Sequence, residues 1–325
     1  MKRDLTIAVI GVGYWGINII NTLKQIGINN IYVYEKNKNV QNRVKRSHNI
    51  KLIKDFNEII DNNKFENIIL STPVEANFKI IKKLIKCNKN IFVEKPVTKN
   101  FKEIHKLKLL VKNKKAIFMC GYIYLFNTLI QYIKNLLELQ KLGKIKYIEM
   151  TRKNYGPYRH HVSSLKDLGS HDLSICKYFF NKKVKLIKNI STNLTKKNSK
   201  DKNISIFNMG NIRCVIQSSW AHPTKERTLL IVGSKKILTY DELNISTPIK
   251  IYNSKYSLNQ KIYKKKNFKP RSKLILSNIK PKIKYINPLF AELTHFIECI
   301  QNNKKPLTDF QFAYDMMHDL NKLDK

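Results

Sequence analysis

Three glycines near the start of the chain have the spacing of a phosphate-binding turn. The segment Gly11–Gly16 reads G-V-G-Y-W-G and lies between a short apolar run and an amphipathic stretch. In the G-x-G-x-x-G pattern the first glycine permits the tight bend, the second lets the backbone approach a pyrophosphate, and the third lets the helix pack on the strand. The amide N–H groups at the helix start then face the phosphates. The segment predicts a dinucleotide site that contains Gly11, Gly13, Tyr14, Trp15 and Gly16.

Glu35 predicts which dinucleotide binds. It ends the next predicted strand, nineteen residues after Gly16. A carboxylate in that position accepts hydrogen bonds from the adenosine ribose and repels a 2′-phosphate, which favours NAD over NADP. Lys36 and Lys38 lie beside it and are able to hold that phosphate instead, so NADP stays an alternative.

A lysine follows a later strand of the same predicted sheet. Glu94-Lys95-Pro96 comes directly after the apolar residues 91–93. The carboxyl ends of the strands line the cofactor crevice in sheets of this type, so we expect Glu94 and Lys95 to contact the cofactor, with Lys95 pointing toward the nicotinamide. An ammonium group there hydrogen-bonds a substrate hydroxyl and stabilises a developing alkoxide. The alternative is one more solvated lysine among many.

An aspartate and a histidine four residues apart form the third candidate group. In the segment Asp167–Asp172, this spacing places Asp167 and His171 on one face at the start of a helix. An imidazole titrates near neutral pH and therefore suits proton removal from a secondary alcohol. The alternative is a helix-capping aspartate beside a surface histidine.

The elements that must position these residues fall into two groups along the chain. Residues 1–121 alternate apolar strands with helical patterns, which is typical of a doubly wound parallel sheet of the Rossmann type. Residues 122–325 contain a long helical pattern and then several strand-like segments. They predict an α+β domain with a large open, mainly antiparallel sheet. The lysine-rich stretch 255–284 has no readable pattern.

The composition excludes several classes of protein. Five cysteines without a C-x-x-C pair argue against both a disulfide scaffold and a zinc ribbon. His160-His161 has no third ligand at a suitable spacing, so no metal is expected. No apolar run is long enough to cross a membrane. The apolar run 5–10 is too short for a signal peptide, which predicts a cytoplasmic protein.

The net charge of +39 raises the question of nucleic-acid binding. Only eight of the 62 basic residues are arginine, whereas proteins that read base sequence cluster arginine for bidentate contacts. Lysine, asparagine and isoleucine are frequent throughout, as a genome rich in A and T would produce. We therefore expect neither nucleic acid nor membrane as a partner, although the positive field favours an anionic substrate.

The glycine pattern, Glu94-Lys95-Pro96 and Asp167–His171 occur in the order and spacing of a known family. Over essentially its whole length the sequence resembles the Gfo/Idh/MocA family of NAD(P)-dependent oxidoreductases. The resemblance implies a dinucleotide-binding domain followed by a domain whose open sheet serves substrate and subunit contacts. It also implies that the turn Ser71-Thr72-Pro73 passes the cofactor.

The resemblance further implies a role for each candidate catalytic residue. His171 is the general acid and base, and Lys95 binds and polarises the substrate hydroxyl. Asp167 orients the substrate and supports the histidine. At Asn77 the sequence departs from the family, which often has histidine there.

A narrower resemblance lies in the second domain. Several of its segments are similar to nucleotide-sugar 3-dehydrogenases found with surface-polysaccharide biosynthesis, namely Tyr124–Asn127, Gly143–Ile145, Arg152–Gly156, His171–Ile175, Trp220–Arg227, Ile231–Lys236 and Pro306–Asp309. That branch acts on UDP-linked N-acetylated sugars. The resemblance implies that Arg152, Asn154 and Arg159 hold the sugar or its diphosphate.

The sequence therefore predicts NAD-dependent oxidation of a secondary sugar hydroxyl by a homodimer or homotetramer. The expected substrate is a nucleotide sugar such as a UDP-N-acetylated hexose, oxidised at C3. Three other functions stay open: an inositol or polyol dehydrogenase, an NADPH-dependent ketosugar reductase, and a non-catalytic dinucleotide-binding sensor. The joint presence of Lys95, Asp167 and His171 argues against the last.

Overall fold

Two compact units make up the chain. The first consists of residues 1–127 and 285–318, and the second of residues 128–284 and 319–325. The computed structural model describes residues 5–48, 50–112, 114–158, 162–195, 199–254, 274–277 and 284–324.

A six-stranded parallel sheet forms the centre of the first unit. Its elements are β1 (Thr6–Ile10), α1 (Tyr14–Ile26), β2 (Asn30–Tyr34), α2 (Lys38–His48), β3 (Lys51–Leu52), α3 (Phe56–Asp61), β4 (Asn67–Leu70), α4 (Val74–Lys86), β5 (Asn90–Glu94), α5 (Phe101–Val111) and β6 (Phe118–Gly121). The strand order is β3-β2-β1-β4-β5-β6, and all neighbours pair in parallel. The doubly wound sheet predicted from the alternating pattern is confirmed.

The central strands are apolar on both faces. Residues 7–9 of β1 and 68–70 of β4 have no exposed surface. This is the pattern of a parallel sheet that helices cover on both sides, and it explains why these strands read as continuous apolar runs. α1 begins inside the glycine segment, directly after Gly13, and is capped at its C-terminus by Gly27, whose φ of 98° is left-handed.

A larger, mixed sheet forms the second unit. Its elements are α6 (Thr128–Glu138), β7 (Ile145–Tyr155), α7 (Ser170–Phe180), β8 (Val184–Thr192), β9 (Lys202–Met209), β10 (Ile212–Ser219), β11 (Ala221–Gly233), β12 (Lys236–Asp241), β13 (Ile249–Ser254) and β14 (Leu274–Ser277). The order is β14-β13-β12-β11-β7-β10-β9-β8. β7 and β10 pair in parallel and the other neighbours are antiparallel, so the predicted mainly antiparallel sheet is confirmed.

Burial alternates along the strands of this second sheet. In β9 the residues are buried and half-buried in turn, which means that one face is covered and the other is partly open. α7 packs on the covered face of the sheet, because the sulfur atom of Cys176 lies 3.6 Å from the sulfur atom of Met150 on β7. Most of the lysine-rich stretch 255–284 lies outside the described residues.

The last two helices, α8 (Pro288–Gln301) and α9 (Phe310–Leu323), are where the structure differs from the sequence-based division. The sequence placed everything after residue 121 in one domain, whereas residues 285–318 belong to the first unit. Phe296 of α8 packs on Phe92 of β5 with ring centres 5.6 Å apart. Phe310 of α9 packs on Phe118 of β6 at 5.1 Å. An amphipathic pattern shows that a helix has an apolar face but not which sheet that face covers.

None of the described helices combines the length and the apolar character that a membrane crossing requires.

Candidate active site

Four neighbouring strands of the first sheet end at residues that the sequence singled out. β1 leads into Gly11, β2 into Glu35, β4 into Ser71, and β5 ends in Glu94 before Lys95. Because β2, β1, β4 and β5 are adjacent and parallel, these ends lie side by side at the carboxyl edge of the sheet. Ligands of open α/β sheets bind at this edge, where the strand order reverses beside β1.

The glycine turn has no room for a side chain at two of its glycines and free space at the third. Gly11 has a φ of 84°, and a Cβ there would lie 2.8 Å from the carbonyl oxygen of Ser71. A Cβ on Gly16 would lie 2.4 Å from the carbonyl oxygen of Gly11. A Cβ on Gly13 would meet no described atom within 4 Å. The turn therefore fits a pyrophosphate that approaches the backbone at Gly13.

The carboxylate of Glu35 is fixed beside this turn. Its Oε2 accepts a hydrogen bond of 3.0 Å from the Val12 N–H, and its Oε1 accepts one of 2.9 Å from the Asn37 N–H. Each oxygen keeps a second lone pair for a ribose hydroxyl. These acceptor oxygens thus fit the ribose hydroxyls at the adenosine end of a dinucleotide.

The turn Ser71-Thr72-Pro73 lies against the glycine turn and is tied to the loop after Lys95. The Thr72 side chain approaches the position of a Gly11 Cβ to 2.9 Å, and its hydroxyl donates to Asn77 Oδ1 at 2.7 Å. Asn77 Nδ2 donates in turn to the Pro96 carbonyl at 3.4 Å. In the sequence, Asn77 was noted only as a departure from the family. Its two hydrogen bonds were not predicted, because the residue type alone does not indicate which groups it contacts.

Trp15 connects the glycine turn to the strand that carries Lys95. Its indole N–H donates to Glu94 Oε1 at 2.5 Å. Burial raises the pKa of Glu94 to about 7, against the opposing effects of the Trp15 hydrogen bond and the Lys95 charge. The sequence predicted both residues near the cofactor but not their bond. Tyr14, also predicted there, is 83% exposed.

In the second unit, Asp167 and His171 lie on consecutive turns of an irregular helix. Residues Leu165–Gly169 form a π-helical turn that leads directly into α7, whose second residue is His171. Such turns are rare and frequently occur at functional sites. Asp167 Oδ2 accepts a 3.2 Å hydrogen bond from the indole N–H of the buried Trp220. Trp220 was not predicted as a site residue.

A buried ion pair holds the helix that carries His171. Arg152 is 4% exposed, and its Nε and Nη2 lie 2.9 and 2.8 Å from Oδ1 of Asp172. Glu242 lies 3.6 Å from Nη1 of the same guanidinium. Burial raises the pKa of Asp172, while the charge of Arg152 opposes that rise. The sequence assigned Arg152 to the substrate; this contact stays a prediction, and the structure adds a partner within the protein.

Of the other two predicted substrate residues, Asn154 and Arg159, the structure describes only Asn154. Asn154, near the end of β7, donates to the Gly156 carbonyl at 2.5 Å and accepts from Nη2 of Arg227 on β11 at 2.6 Å, so it links the end of β7 to β11. Arg159 and the pair His160-His161 lie outside the described residues. Across the part of the chain that the structure describes, no group of three or more His, Cys, Asp or Glu side chains is arranged to hold a metal ion.

Two family models match the sequence. The Gfo/Idh/MocA model described as "Oxidoreductase family, NAD-binding Rossmann fold" matches residues 5–122. The model described as "GFO/IDH/MocA C-terminal domain" matches residues 130–239. No protein with a curated description matches the sequence.

Several solved structures share the fold along nearly the whole chain. One is the UDP-N-acetylglucosamine 3-dehydrogenase of Acidithiobacillus ferrooxidans, with 16% identity, a TM-score of 0.79, and coverage of 98% of this chain and 96% of that chain. A levoglucosan dehydrogenase in complex with NADH and levoglucosan has 14% identity, a TM-score of 0.79 and the same coverage. The aldose-aldose oxidoreductase of Caulobacter crescentus, in complex with glycerol, has 14% identity, a TM-score of 0.80, and coverage of 99% and 97%. At these identities the likeness concerns the fold.

The position of Glu35 predicts a preference for NAD. We expect Glu35→Ser to lower the ratio of the NADP dissociation constant to the NAD dissociation constant at least about tenfold. NADP then binds more tightly, because no carboxylate repels its 2′-phosphate. Fluorescence titration with both reduced dinucleotides measures the ratio. Glu75→Ser removes the same charge from an exposed site on α4 and serves as the control. Equal affinity of the unmodified protein for both dinucleotides would contradict the prediction.

The Arg152–Asp172 pair predicts a loss of stability on substitution. Arg152→Met leaves the buried Asp172 carboxylate without its main partner and should lower the free energy of unfolding by about 3–5 kcal/mol. Lys153→Met is the matched control, because its pair with Glu226 is more exposed and should contribute no more than about 1 kcal/mol. Urea denaturation compares the two. If Arg152→Met only raises KM and leaves unfolding unchanged, Arg152 acts on the substrate instead.

Proposed function

This chain belongs to the Gfo/Idh/MocA family of oxidoreductases, with an NAD-binding Rossmann domain, and on that premise we propose that it oxidises a secondary hydroxyl of a sugar. The proposed substrate is a nucleotide sugar of the UDP-N-acetylated hexose type, and the proposed position is C3. The observation that supports the proposal is the Trp15–Glu94 hydrogen bond, because it joins the glycine turn to the strand end that precedes Lys95.

The residues at the carboxyl edge of the first sheet would hold the dinucleotide. Gly11, Gly13 and Gly16 form the pyrophosphate turn, Glu35 binds the adenosine ribose, and Ser71-Thr72-Pro73 borders the turn. When bound, the nicotinamide supplies the redox chemistry by accepting the hydride from the carbon that carries the hydroxyl. The protein contributes position and charge.

His171 is the proposed general base. It takes the proton of the substrate hydroxyl at its imidazole and returns it in the reverse reaction. Asp167, one helical turn earlier, orients the substrate, and Trp220 fixes one oxygen of that carboxylate. Arg152 and Asp172 act on His171 indirectly, because their ion pair anchors the first turn of α7.

Lys95 is the proposed electrostatic partner of the hydroxyl oxygen. Its ammonium group donates to that oxygen and stabilises the negative charge that develops as the proton leaves.

The nature of the sugar rests on charge and on similarity. A net charge of +39 favours a substrate that carries a diphosphate. The likeness to a UDP-N-acetylglucosamine 3-dehydrogenase points the same way. The equally good likeness to enzymes named for levoglucosan and for aldoses supports a second candidate, a dehydrogenase of free sugars or polyols. A panel of UDP-sugars, free sugars and inositols with NAD and NADP, followed at the absorbance of the reduced nicotinamide, separates the two.

We also propose a setting for the reaction. The partly open face of the second sheet is the proposed surface for a homodimer or homotetramer, and the cytoplasm is the proposed compartment. A nucleotide-sugar product would serve surface-polysaccharide biosynthesis.

The roles of Lys95 and His171 predict separate losses of turnover. Lys95→Met and His171→Asn should each lower kcat at least about 100-fold, because each removes a group that acts only as the proton leaves. NAD affinity should stay within about threefold in both, since neither is assigned to the phosphates or the adenosine.

Two substitutions on α5 or just before it provide the controls. Lys99→Met and His105→Asn change the same residue types at exposed positions and should keep normal rates. A normal rate in either active-site variant would refute the role of that residue. Normal dinucleotide binding together with no turnover on any substrate of the panel by the unmodified protein would favour the non-catalytic sensor.

A further inference from the structure

The start of the π-helical turn contacts the residue that follows α9. Asp324 comes directly after α9, and its N–H donates to the Leu320 carbonyl at 3.0 Å, which extends the helical bonding by one residue. Its Oδ1 accepts a 3.0 Å hydrogen bond from the Ser163 hydroxyl, and its Oδ2 lies 2.7 Å from the ammonium nitrogen of Lys166. These residues all belong to the second unit. One carboxylate therefore holds two residues where the π-helical turn begins.

Ser163 connects this carboxylate to the backbone of Asp167. The Ser163 hydroxyl donates to Asp324 and accepts from the Lys166 N–H at 3.3 Å, so its orientation is fixed from two sides. The Ser163 carbonyl accepts a 3.0 Å hydrogen bond from the Asp167 N–H. The backbone of Asp167 is thus bonded to a nearly buried residue whose side chain is oriented by Asp324.

Asp324 also contacts a residue with an unfavourable backbone conformation. Lys200 has a φ of 47°, in the left-handed region that residues with a side chain rarely adopt. Its ammonium group donates to the Asp324 carbonyl at 2.9 Å and lies 3.4 Å from Oδ1. Its own carbonyl accepts from the Ser164 N–H at 3.1 Å. Such a conformation persists where the surrounding contacts enforce it, and Asp324 supplies two of these contacts.

The residue after Lys200 provides a second connection to Asp167. The Asp201 carbonyl accepts a 3.0 Å hydrogen bond from the Trp220 N–H. The indole of Trp220 in turn donates to Oδ2 of Asp167. The backbone and the side chain of Asp167 are therefore held by two separate sets of contacts, and Asp324 takes part in both.

The end of α9 is itself fixed on α7. Asp319 lies 2.8 Å from the ammonium nitrogen of Lys177, and both side chains are buried. Removing one partner from a buried ion pair leaves a charge out of water, so this contact is costly to break. Residues 319–324 thus contact the chain both before and after the two candidate catalytic residues of this unit, Asp167 and His171.

We propose that Asp324 is a positioning residue that fixes the π-helical turn and thereby the places of Asp167 and His171. What these two side chains do rests on the proposed function, but their fixing requires no substrate. Lys166 and Lys200 are substantially exposed, so their charges contribute little to the contact. The hydrogen bond from Ser163 and the shape of the carboxylate carry the positioning.

The first experiment measures the fixing without turnover. The chain has two tryptophans, so Trp15→Phe leaves the buried Trp220 as the only indole. In this background Asp324→Ala should raise the acrylamide quenching constant of Trp220 at least about twofold, because the segment around it opens more often. Asp324→Asn keeps an acceptor for Ser163 and should stay within about 1.5-fold of the parent.

A matched substitution on the same helix provides the control. Asp315→Ala removes a carboxylate that accepts from Gln311 within α9 and should leave the quenching unchanged. Unchanged quenching in Asp324→Ala would overturn the proposal. If that variant does not fold, Ser163→Ala takes its place, because it removes the hydroxyl that Asp324 binds. Unchanged quenching in Ser163→Ala would then overturn the proposal.

The second experiment measures catalysis with Trp15 in place and a substrate from the panel of sugars. Asp324→Ala should lower kcat at least about tenfold, because a small displacement of reacting groups is costly. The dissociation constant of NAD should change less than about threefold, since the candidate dinucleotide residues lie in the first unit. Asp324→Asn should restore at least about a third of the normal kcat.

The result separates positioning from stability alone. A purely structural role would lower the melting temperature of Asp324→Ala and leave kcat of the folded protein normal, which would overturn the proposal. Asp315→Ala should keep a normal kcat. If the unmodified protein oxidises no sugar of the panel, the proposed function is contradicted, and the quenching of Trp220 still decides whether Asp324 fixes the turn.

Discussion

The close approach between the glycine turn and the neighbouring strand end is the constraint on which the first unit depends. At Gly11 and at Gly16 even a single methyl group would lie within 3 Å of a backbone carbonyl oxygen. Only the absence of these side chains lets β1, β4 and α1 meet at one edge. The other candidate residues of this unit lie at the same edge, because parallel strands bring their carboxyl ends, and the residues that come after them, into one row.

In the second unit, a buried ion pair stabilises the start of α7. His171 lies on a helix that begins irregularly, and the Arg152–Asp172 pair fixes the residue that follows it. Removing two charges from water is costly, and good geometry with several hydrogen bonds is what offsets the cost. The bond from Trp220 to Asp167 adds a second anchor on the same short segment.

Local patterns in the sequence predicted the strand ends but not the contacts across them. The glycine spacing and the position of Glu35 each carry their own geometric requirement, and both lie where expected. The bond between Trp15 and Glu94 joins residues 79 positions apart, which no local pattern encodes. The resemblance assigned Arg152 to the substrate, and an arginine in a polar segment gives no sign that it also pairs with a buried carboxylate. The placement of α8 on the first sheet was not predicted for a related reason: an apolar stripe on a helix does not indicate which sheet the helix covers.

The return of residues 285–318 to the first unit has a consequence for how the protein is made. A ribosome delivers the nucleotide-binding sheet early, yet the helix that covers β5 emerges only about 160 residues later, which takes roughly 8–30 s at ordinary elongation rates. During that interval Phe92 and its neighbours lack their cover, and the second unit still waits for residues 319–325. Neither unit would therefore be complete until the C-terminal helices emerge, and chaperones would meet the half-finished first sheet as an exposed apolar surface.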